Sequence, residues 1–519
     1  MSEKLKKDVI IIKIKKILSR LLSRNAAVII LLLMQIGFIF LSVTTIGEKY
    51  YLIYFMLVVL DIILAIFITN KSEPSSYKLS WLITISVFPL LGGVVYLFVK
   101  MSKQQPKLAD SLYREKARQL LIQDEETALK LKEECPDSLN LSRYVTKFGL
   151  YPLYFNSQAE YFQLGEMQFE TMKAELEKAE KFIFLEFFII TKGRMFDELS
   201  EILIRKAKQG IDVRLMYDGI GTGMLNSKKI FVKLSENGVK CKEFNPFRPM
   251  LSSIQNNRDH RKIVVIDGKT AFSGGINLAD EYINHIERFG HWKDTGIMIR
   301  GQAVRNYTIM FLSLWEPLGT PEKYSIFFPD IPPITKNDGF VQPFSDSPLD
   351  DEPVGKSVYL ELINNAREYV NITTPYLILD EEMTNALRFA AKKGVRVKII
   401  TPHIPDKWYV YMIAWNNYPQ LIERGVEIYE YTPGFIHAKS LVADGKTAVV
   451  GTVNFDYRSF YLHFESAAVL YNCSVIEKIK ADFDETLSLS QCITLDDCQK
   501  RPLYMKAAGS ILNMFAPLL

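Results

Sequence analysis

The sequence predicts an α/β protein of two pseudo-symmetric halves forming one catalytic unit, preceded by N-terminal transmembrane helices. Three observations predict this. A twenty-residue pattern occurs twice, as DHRKIVVIDGKTAFSGGINL from Asp259 and IHAKSLVADGKTAVVGTVNF from Ile436. Each copy follows a strand–helix–strand pattern in the same order, as in layered α/β domains. The first hundred residues are far more apolar than the rest.

Residues 1–24 form a basic amphipathic N-terminus. Lys4, Lys6, Lys7, Lys13, Lys15, Lys16, Arg20 and Arg24 stand against Glu3 and Asp8 alone, and Val9, Ile10, Ile14, Ile17, Leu18, Leu21 and Leu22 recur at near-helical spacing. Such a segment lies at an interface and stays on the cytoplasmic side. Residues 25–102 read as a transmembrane region of two or three apolar helices. Ala26–Ile46 is uncharged, Tyr50–Thr69 is broken only by Asp61, and Trp81–Val99 contains PLLGGVVY. A cleavable signal peptide fits the first run poorly, because no small-residue cleavage site follows it. The expected location is the cell membrane, with several passes. Three full spans place the remainder outside; two spans and a re-entrant segment kinked at Pro89, Gly92 and Gly93 keep it inside. Asp61 is expected to face the helix bundle.

A charged helical neck is expected over 103–149. The first soluble half follows over 150–330 and the second over 331–500. KFIFLEFFII, MFDELSEILIRKAKQG and IDVRLMYD give strand, helix and strand in the first; YVNITTPYLIL, EEMTNALRFAAKKG and VRVKIITP repeat them in the second. Both helices end in a glycine, Gly210 or Gly394, as left-handed caps do. Residues 501–519 form a C-terminal amphipathic segment that fits equally an interfacial helix and a helix packed on the domain. Net charge is only +4, which argues against a strongly basic nucleic-acid binder. The five cysteines have neither zinc spacing nor a disulfide framework.

Within the repeat, positions 260, 262, 267, 274 and 277 recur at 437, 439, 444, 451 and 454, each 177 residues on, without a gap. Each copy reads as strand, Asp-Gly turn, strand. His260 and Lys262 are two apart, as are His437 and Lys439, so each pair would share a strand face. Asn277 and Asn454 can return to that face beyond the turn. Lysine supplies a point charge and asparagine amide donors, which suit a phosphate. Two such halves offer two imidazoles, one to attack phosphorus and one to protonate the leaving oxygen. The other histidines, His285, His291, His403 and His463, have no repeated context and read as surface or packing residues. Glu186 stands alone in an apolar strand and should have a buried partner. Thr374, Pro375 and Tyr376 occupy the corresponding strand of the second half.

The motif His-x-Lys-x4-Asp, present as His260, Lys262, Asp267 and as His437, Lys439, Asp444, resembles that of the phospholipase D superfamily. The resemblance covers about 150–519. YKLSWLITISVFPLLGGVVYLFV and ILNMFAPLL further resemble the membrane segment and the terminus of bacterial cardiolipin synthases. The resemblance implies two phospholipase D-type αβα sandwich halves, a covalent phosphohistidine intermediate, and neither metal nor cofactor. It implies condensation of two phosphatidylglycerols to cardiolipin and glycerol, so phosphatidylglycerol and membrane lipids are the expected partners and nucleic acid is not. By similarity His260 is the nucleophile and His437 the general acid/base, although the pseudo-symmetry leaves that order open. Lys262, Lys439, Asn277 and Asn454 would hold the phosphoryl oxygens, and Asp267 and Asp444 would be mainly structural. Asp294 and Glu465, 34 and 28 residues after the histidine of their own half, are the candidates for orienting the imidazoles. Alternatives are a hydrolytic phospholipase D, a phosphatidylserine synthase, a nuclease, or a lipid-binding scaffold, which would call for a degraded motif. Oligomeric state is open, a homodimer included.

Overall fold

The computed structural model describes residues 51–101, 119–222, 229–247, 253–316, 321–332, 338–350 and 352–518. The basic N-terminus, the first apolar run and residues 102–118 of the expected neck lie outside them. The chain divides into two compact units.

The smaller unit is built on α1 (Tyr51–Thr69), α2 (Ser75–Val87) and α3 (Pro89–Met101). The run expected as a third span is thus two helices of 13 residues. The break falls at Phe88, at φ −129°, because the proline ring bars the preceding residue from helical geometry. Each piece is about 20 Å long at roughly 1.5 Å per residue. α2 and α3 pack closely at Gly92, where a Cβ would stand 2.6 Å from the Thr84 carbonyl oxygen. Leu64, Ile68, Trp81, Ile85 and Tyr96 form the unit's core. Asp61 faces α3, as expected: a Cβ on Gly93 would lie 3.4 Å from its Oδ1. Among the described residues no helix is long and apolar enough to cross a membrane. The expected transmembrane helices are therefore not found over 51–101, and Ala26–Ile46 lies outside the described residues.

The larger unit holds both halves of the repeat. The first half runs β1 (Ser157–Phe162), α4 (Gly165–Leu176), β2 (Phe182–Phe187), α5 (Arg194–Lys208), β3 (Asp212–Asp218), β4 (Lys240–Phe244), β5 (Arg258–Asp259), β6 (Ile263–Ile266), β7 (Thr270–Gly274), β8 (His291–Lys293), β9 (Gly296–Gly301) and α6 (Val304–Trp315). The second runs β10 (Phe340–Asp346), α7 (Val354–Asn365), β11 (Tyr369–Thr373), α8 (Glu381–Lys392), β12 (Arg396–Pro402), α9 (Trp408–Ile422), β13 (Glu427–Tyr431), β14 (Gly434–Ile436), β15 (Ser440–Ala443), β16 (Thr447–Gly451), β17 (His463–Tyr471), α10 (Val475–Ser488), β18 (Ser490–Ile493) and α11 (Leu503–Met514). The first sheet has the order β1-β9-β7-β6-β2-β3-β4, and the second repeats it as β10-β17-β16-β15-β11-β12-β13 with β18 added at the edge.

The apolar run FIFLEF becomes β2 because both faces of the sheet are covered. Phe182 and Phe184 point into one core, Ile183 and Leu185 into another beneath α5. The first of these cores continues into the second half through Phe344, Ile372, Leu441 and Val469, so the halves share one interior. Leu131, Leu141 and Val145 of the neck segment are buried in that same interior. The glycines that end α5 and α8 sit at φ +88° and +98°, a region where a side chain is strained. α11 packs on α9 at Gly509, where a Cβ would meet the Met412 carbonyl oxygen at 2.9 Å. Leu503, Tyr504, Ile511 and Met514 stay exposed.

Two short strands leave their own half. β5 pairs in parallel with the start of β17, Arg258 opposite His463 and Asp259 opposite Phe464. β14 pairs in parallel with β8, Gly434 opposite His291 and Ile436 opposite Lys293. The next backbone bonds complete each exchange: His260 N–H donates to Phe464 O at 3.0 Å, and His437 N–H to Lys293 O at 2.7 Å.

Candidate active site

The exchanged strands place the catalytic candidates. His260 and Lys262 occupy the link between β5 and β6, His437 and Lys439 the link between β14 and β15. The expected strand face is thus a three-residue link pinned at both ends, since the exchange draws the chain off its sheet. Lys262 Nζ donates to the His260 carbonyl at 2.6 Å, and Lys439 Nζ to that of His437. Arg261, between His260 and Lys262, donates instead to Glu186 at 2.6 Å and lies 3.4 Å from Asp259. This is the buried partner that Glu186 called for.

Each imidazole lies against one of the two carboxylates singled out in the sequence, but against the one from the opposite half. His260 Nδ1 lies 3.0 Å from both oxygens of Glu465, and His437 Nδ1 lies 2.7 Å from Asp294 Oδ2. The parallel exchange causes this crossing. In register, the residue after Phe464 falls opposite the one after Asp259, and the residue after Lys293 opposite the one after Ile436. Glu465 also accepts from Ser459 Oγ at 2.7 Å and from Thr452 Oγ1. Asp294 accepts the Thr295 N–H at 2.8 Å, and a Cβ on Gly275 would lie 2.1 Å from its Oδ1. Thr452 and Gly275 occupy the same repeat position, so the contrast of GT with GG was the sequence signal for the two carboxylate pockets.

Asp267 and Asp444 lie away from the imidazoles. Asp267, at φ +52°, accepts the N–H groups of Glu180, Lys181 and Phe182 at 2.7–2.8 Å. Asp444, at φ +53°, accepts those of Arg367, Glu368 and Tyr369 at 2.8–2.9 Å. Each holds the start of the strand beside its turn. Asn277 accepts the Ile189 N–H at 3.0 Å and donates to Tyr282 Oη at 2.8 Å, which leaves its second amide hydrogen for a ligand. Asn454 Nδ2 lies 3.4 Å from Asp456, and its Oδ1 is buried without a partner. Thr374 and Tyr376 brace the neighbouring loop: Phe455 N–H donates to Thr374 Oγ1 at 3.2 Å, and Tyr376 Oη donates to Asp406 at 2.7 Å.

The two imidazoles share one electrostatic environment. Both are held far below the ordinary histidine pKa, first by burial and then by Lys262 and Lys439, each lysine acting on both rings. The charge of His437 acts on His260 as well. Lys407, which the repeat did not reveal, acts on both rings too. Burial brings Lys262 down to about 8 and Lys439 to about 7, and pushes Asp294 up to about 7. Neutral imidazoles with Nδ1–H turned to a carboxylate leave each Nε2 with a lone pair. Phe188 packs edge-on against His260 and Tyr282 against His437.

Of the other histidines, His291 bonds Tyr431 Oη at 2.9 Å, His403 bonds Glu430 at 3.0 Å and His285 is exposed. His463, expected to be equally unremarkable, is buried beside His260 with ring centroids 5.3 Å apart. Among the described residues, His260, His463 and Glu465 are the cluster with the spacing of metal ligands.

A family model described as "Cardiolipin synthase, PLD-like domain" matches residues 172–315 and 359–487, and one described as "Phospholipase_D-nuclease N-terminal" matches 59–100. An uncharacterized protein of Streptococcus mutans is 44% identical over 88% of this chain and 99% of its own length. A cardiolipin synthase of Geobacillus kaustophilus is 35% identical over 88% of this chain and 92% of its own. The solved phosphatidylserine synthase of Haemophilus influenzae superposes with a TM-score of 0.54 at 14% identity, over 70% of this chain and 93% of its own, and so shares the fold. Two intact motifs at constant offset, paired carboxylates and these likenesses agree: the chain belongs to the cardiolipin synthase family of the phospholipase D superfamily and is an enzyme of that type.

Proposed function

We propose that the enzyme joins two phosphatidylglycerol molecules through a phosphohistidine on His260. His260 Nε2 attacks the phosphorus of the first lipid. The bond from phosphorus to the headgroup glycerol breaks, and His437, which takes up one proton from solvent as the diester anion binds beside it, gives that proton to the leaving oxygen. Glycerol leaves. The terminal hydroxyl of a second phosphatidylglycerol then attacks phosphorus, His437 takes its proton, the P–N bond breaks and cardiolipin departs. Each imidazole becomes cationic in turn, stabilised by its crossed carboxylate, Glu465 for His260 and Asp294 for His437. Lys262, Lys439, Asn277 and Asn454 hold the phosphoryl oxygens, and Lys407 adds positive charge at the same place.

The observation that carries this reading is the pair of buried His–carboxylate contacts, at 3.0 and 2.7 Å, each joining one half to the other. Diester binding fits the charges at the site: Lys262, Lys439 and Lys407 all act on the two imidazoles and would attract the phosphate anion. The apolar N-terminal region would hold the enzyme at the membrane, where both substrates reside, and the exposed apolar face of α11 would lie toward lipid. The test supplies phosphatidylglycerol alone, in detergent and without nucleotide. Equimolar cardiolipin and glycerol are expected by mass spectrometry. Phosphatidic acid as the main product would mean that water is the acceptor, and no turnover in folded protein would sink the reading.

A further inference from the structure

The repeat makes one asymmetry conspicuous. In the exchanged pairs, His463 and Trp292 hold equivalent places, each two residues before the carboxylate that serves the opposite imidazole. Trp292 packs against His437 with centroids 5.6 Å apart, as His463 packs against His260 at 5.3 Å. The fold and the carboxylate therefore do not require an imidazole at this position. His463 is 8% exposed, and neither ring nitrogen has a hydrogen-bond partner. A buried polar group left this way is costly and calls for a ligand.

We propose that His260, His463 and Glu465 form an inhibitory site for a divalent transition-metal ion of the zinc class. One nitrogen of each imidazole and one carboxylate oxygen lie within 4.8 Å of one another. His260 Nδ1 is 3.0 Å and His463 Nδ1 3.6 Å from Glu465 Oε1. A tetrahedral ion with bonds of roughly 2.0–2.1 Å has ligand–ligand edges of about 3.4 Å; the two histidine–carboxylate separations bracket that value, and the two imidazole nitrogens, within 4.8 Å, would draw together on binding. Two imidazoles and a carboxylate, with a fourth position open, are a zinc-type donor set. The inhibition follows from tautomer chemistry. Coordination uses the Nδ1 lone pair of His260, so the ring proton moves from Nδ1 to Nε2. The nitrogen that attacks phosphorus then has no free pair, and Glu465 is occupied by the ion. Lys262 nearby weakens cation binding, so micromolar rather than structural affinity is expected.

The inhibitory clause rests on His260 being the nucleophile; the binding clause does not. Full-length enzyme in detergent is titrated with buffered Zn²⁺ while cardiolipin formation is followed, and with Co²⁺ while its visible ligand-field bands are read. Turnover is expected to fall to near zero and return with chelator, and the cobalt spectrum to be tetrahedral and saturate at one ion per chain. H463N, and H463W as the counterpart of the other half, should lose the cobalt bands and need at least tenfold more Zn²⁺ for half-inhibition, each measured against its own metal-free rate. Absence of a one-equivalent cobalt spectrum in the unmodified enzyme, or its persistence in both variants, would overturn the site. A cobalt spectrum without loss of turnover would overturn the inhibitory role and the assignment of His260 with it.

Discussion

Crossing of the carboxylates makes a prediction that own-half pairing does not. Glu465→Gln should disable the chemistry of His260, and Asp294→Asn that of His437. Glu465 lies 3.0 Å from Nδ1 of a ring only 8% exposed on its side chain. At an effective dielectric constant of about 20, a unit charge at that distance stabilises an imidazolium by about 5.5 kcal/mol. That is about four decades in rate. Glutamine keeps a neutral acceptor, so about 10³- to 10⁴-fold is expected for either variant in cardiolipin formation. A substrate with an activated leaving group separates the two. Phosphatidyl-p-nitrophenol needs no proton on its leaving oxygen, so D294N and H437A should still release a burst of nitrophenol and form the phosphohistidine adduct, visible by intact mass after quenching in base. E465Q and H260A should do neither. H260A/E465Q should be no slower than H260A alone, because the two residues act as one unit. The opposite pattern, with the burst lost in D294N and kept in E465Q, would refute the crossed assignment.

Other expectations follow from neighbouring contacts. Gly275→Ala puts a methyl 2.1 Å from Asp294 Oδ1; turnover should fall at least a hundredfold, roughly 3 kcal/mol of barrier, with the unfolding temperature little changed. Asp267→Ala orphans three backbone N–H groups at a left-handed residue. It should cost about 2–4 kcal/mol of stability, seen as a lower Tm, while activity per folded molecule stays within a few-fold. Arg261→Ala leaves Glu186 and Asp259 facing each other in the interior and should cost about 3–5 kcal/mol by denaturant titration. Both imidazoles titrate below 6.5, so the acid limb of kcat/KM should lie below pH 6.5, where His260 gains a proton and can no longer attack. Lys439 at about 7 and Lys262 at about 8 lose charge as pH rises, so kcat/KM should fall on the alkaline side of neutrality. A flat profile from pH 7 to about 9 would contradict those two shifts.

Much of this was legible in one dimension. The 177-residue offset singled out His260, Lys262, His437 and Lys439 as candidates, and the glycine-capped helices and buried strands appear where the patterning puts them. Asp294 and Glu465 were legible as individuals but not as partners. Chain order associates each with its own half, and the exchange that reassigns them rests on strands of only two and three residues, which carry no periodicity. Lys407 and Ser459 were not legible, since neither stands in a repeated pattern; Glu186 stood out as needing a buried partner, but nothing in the sequence named Arg261 as that partner. Hydropathy showed Trp81–Val99 as one apolar run; Pro89 marked where a kink could fall, but not that the chain breaks into two short helices packed on each other at Gly92.

The strand exchange also bears on what counts as a working molecule. A single half, cut out and folded, would present a base without its counter-ion and a counter-ion without its base. Competence would return only when it met a complementary body, whether the other half supplied in trans or a twin of itself arranged about a two-fold axis. Because the halves also share one interior, covalent continuity both completes that interior and keeps the two pieces at high local concentration.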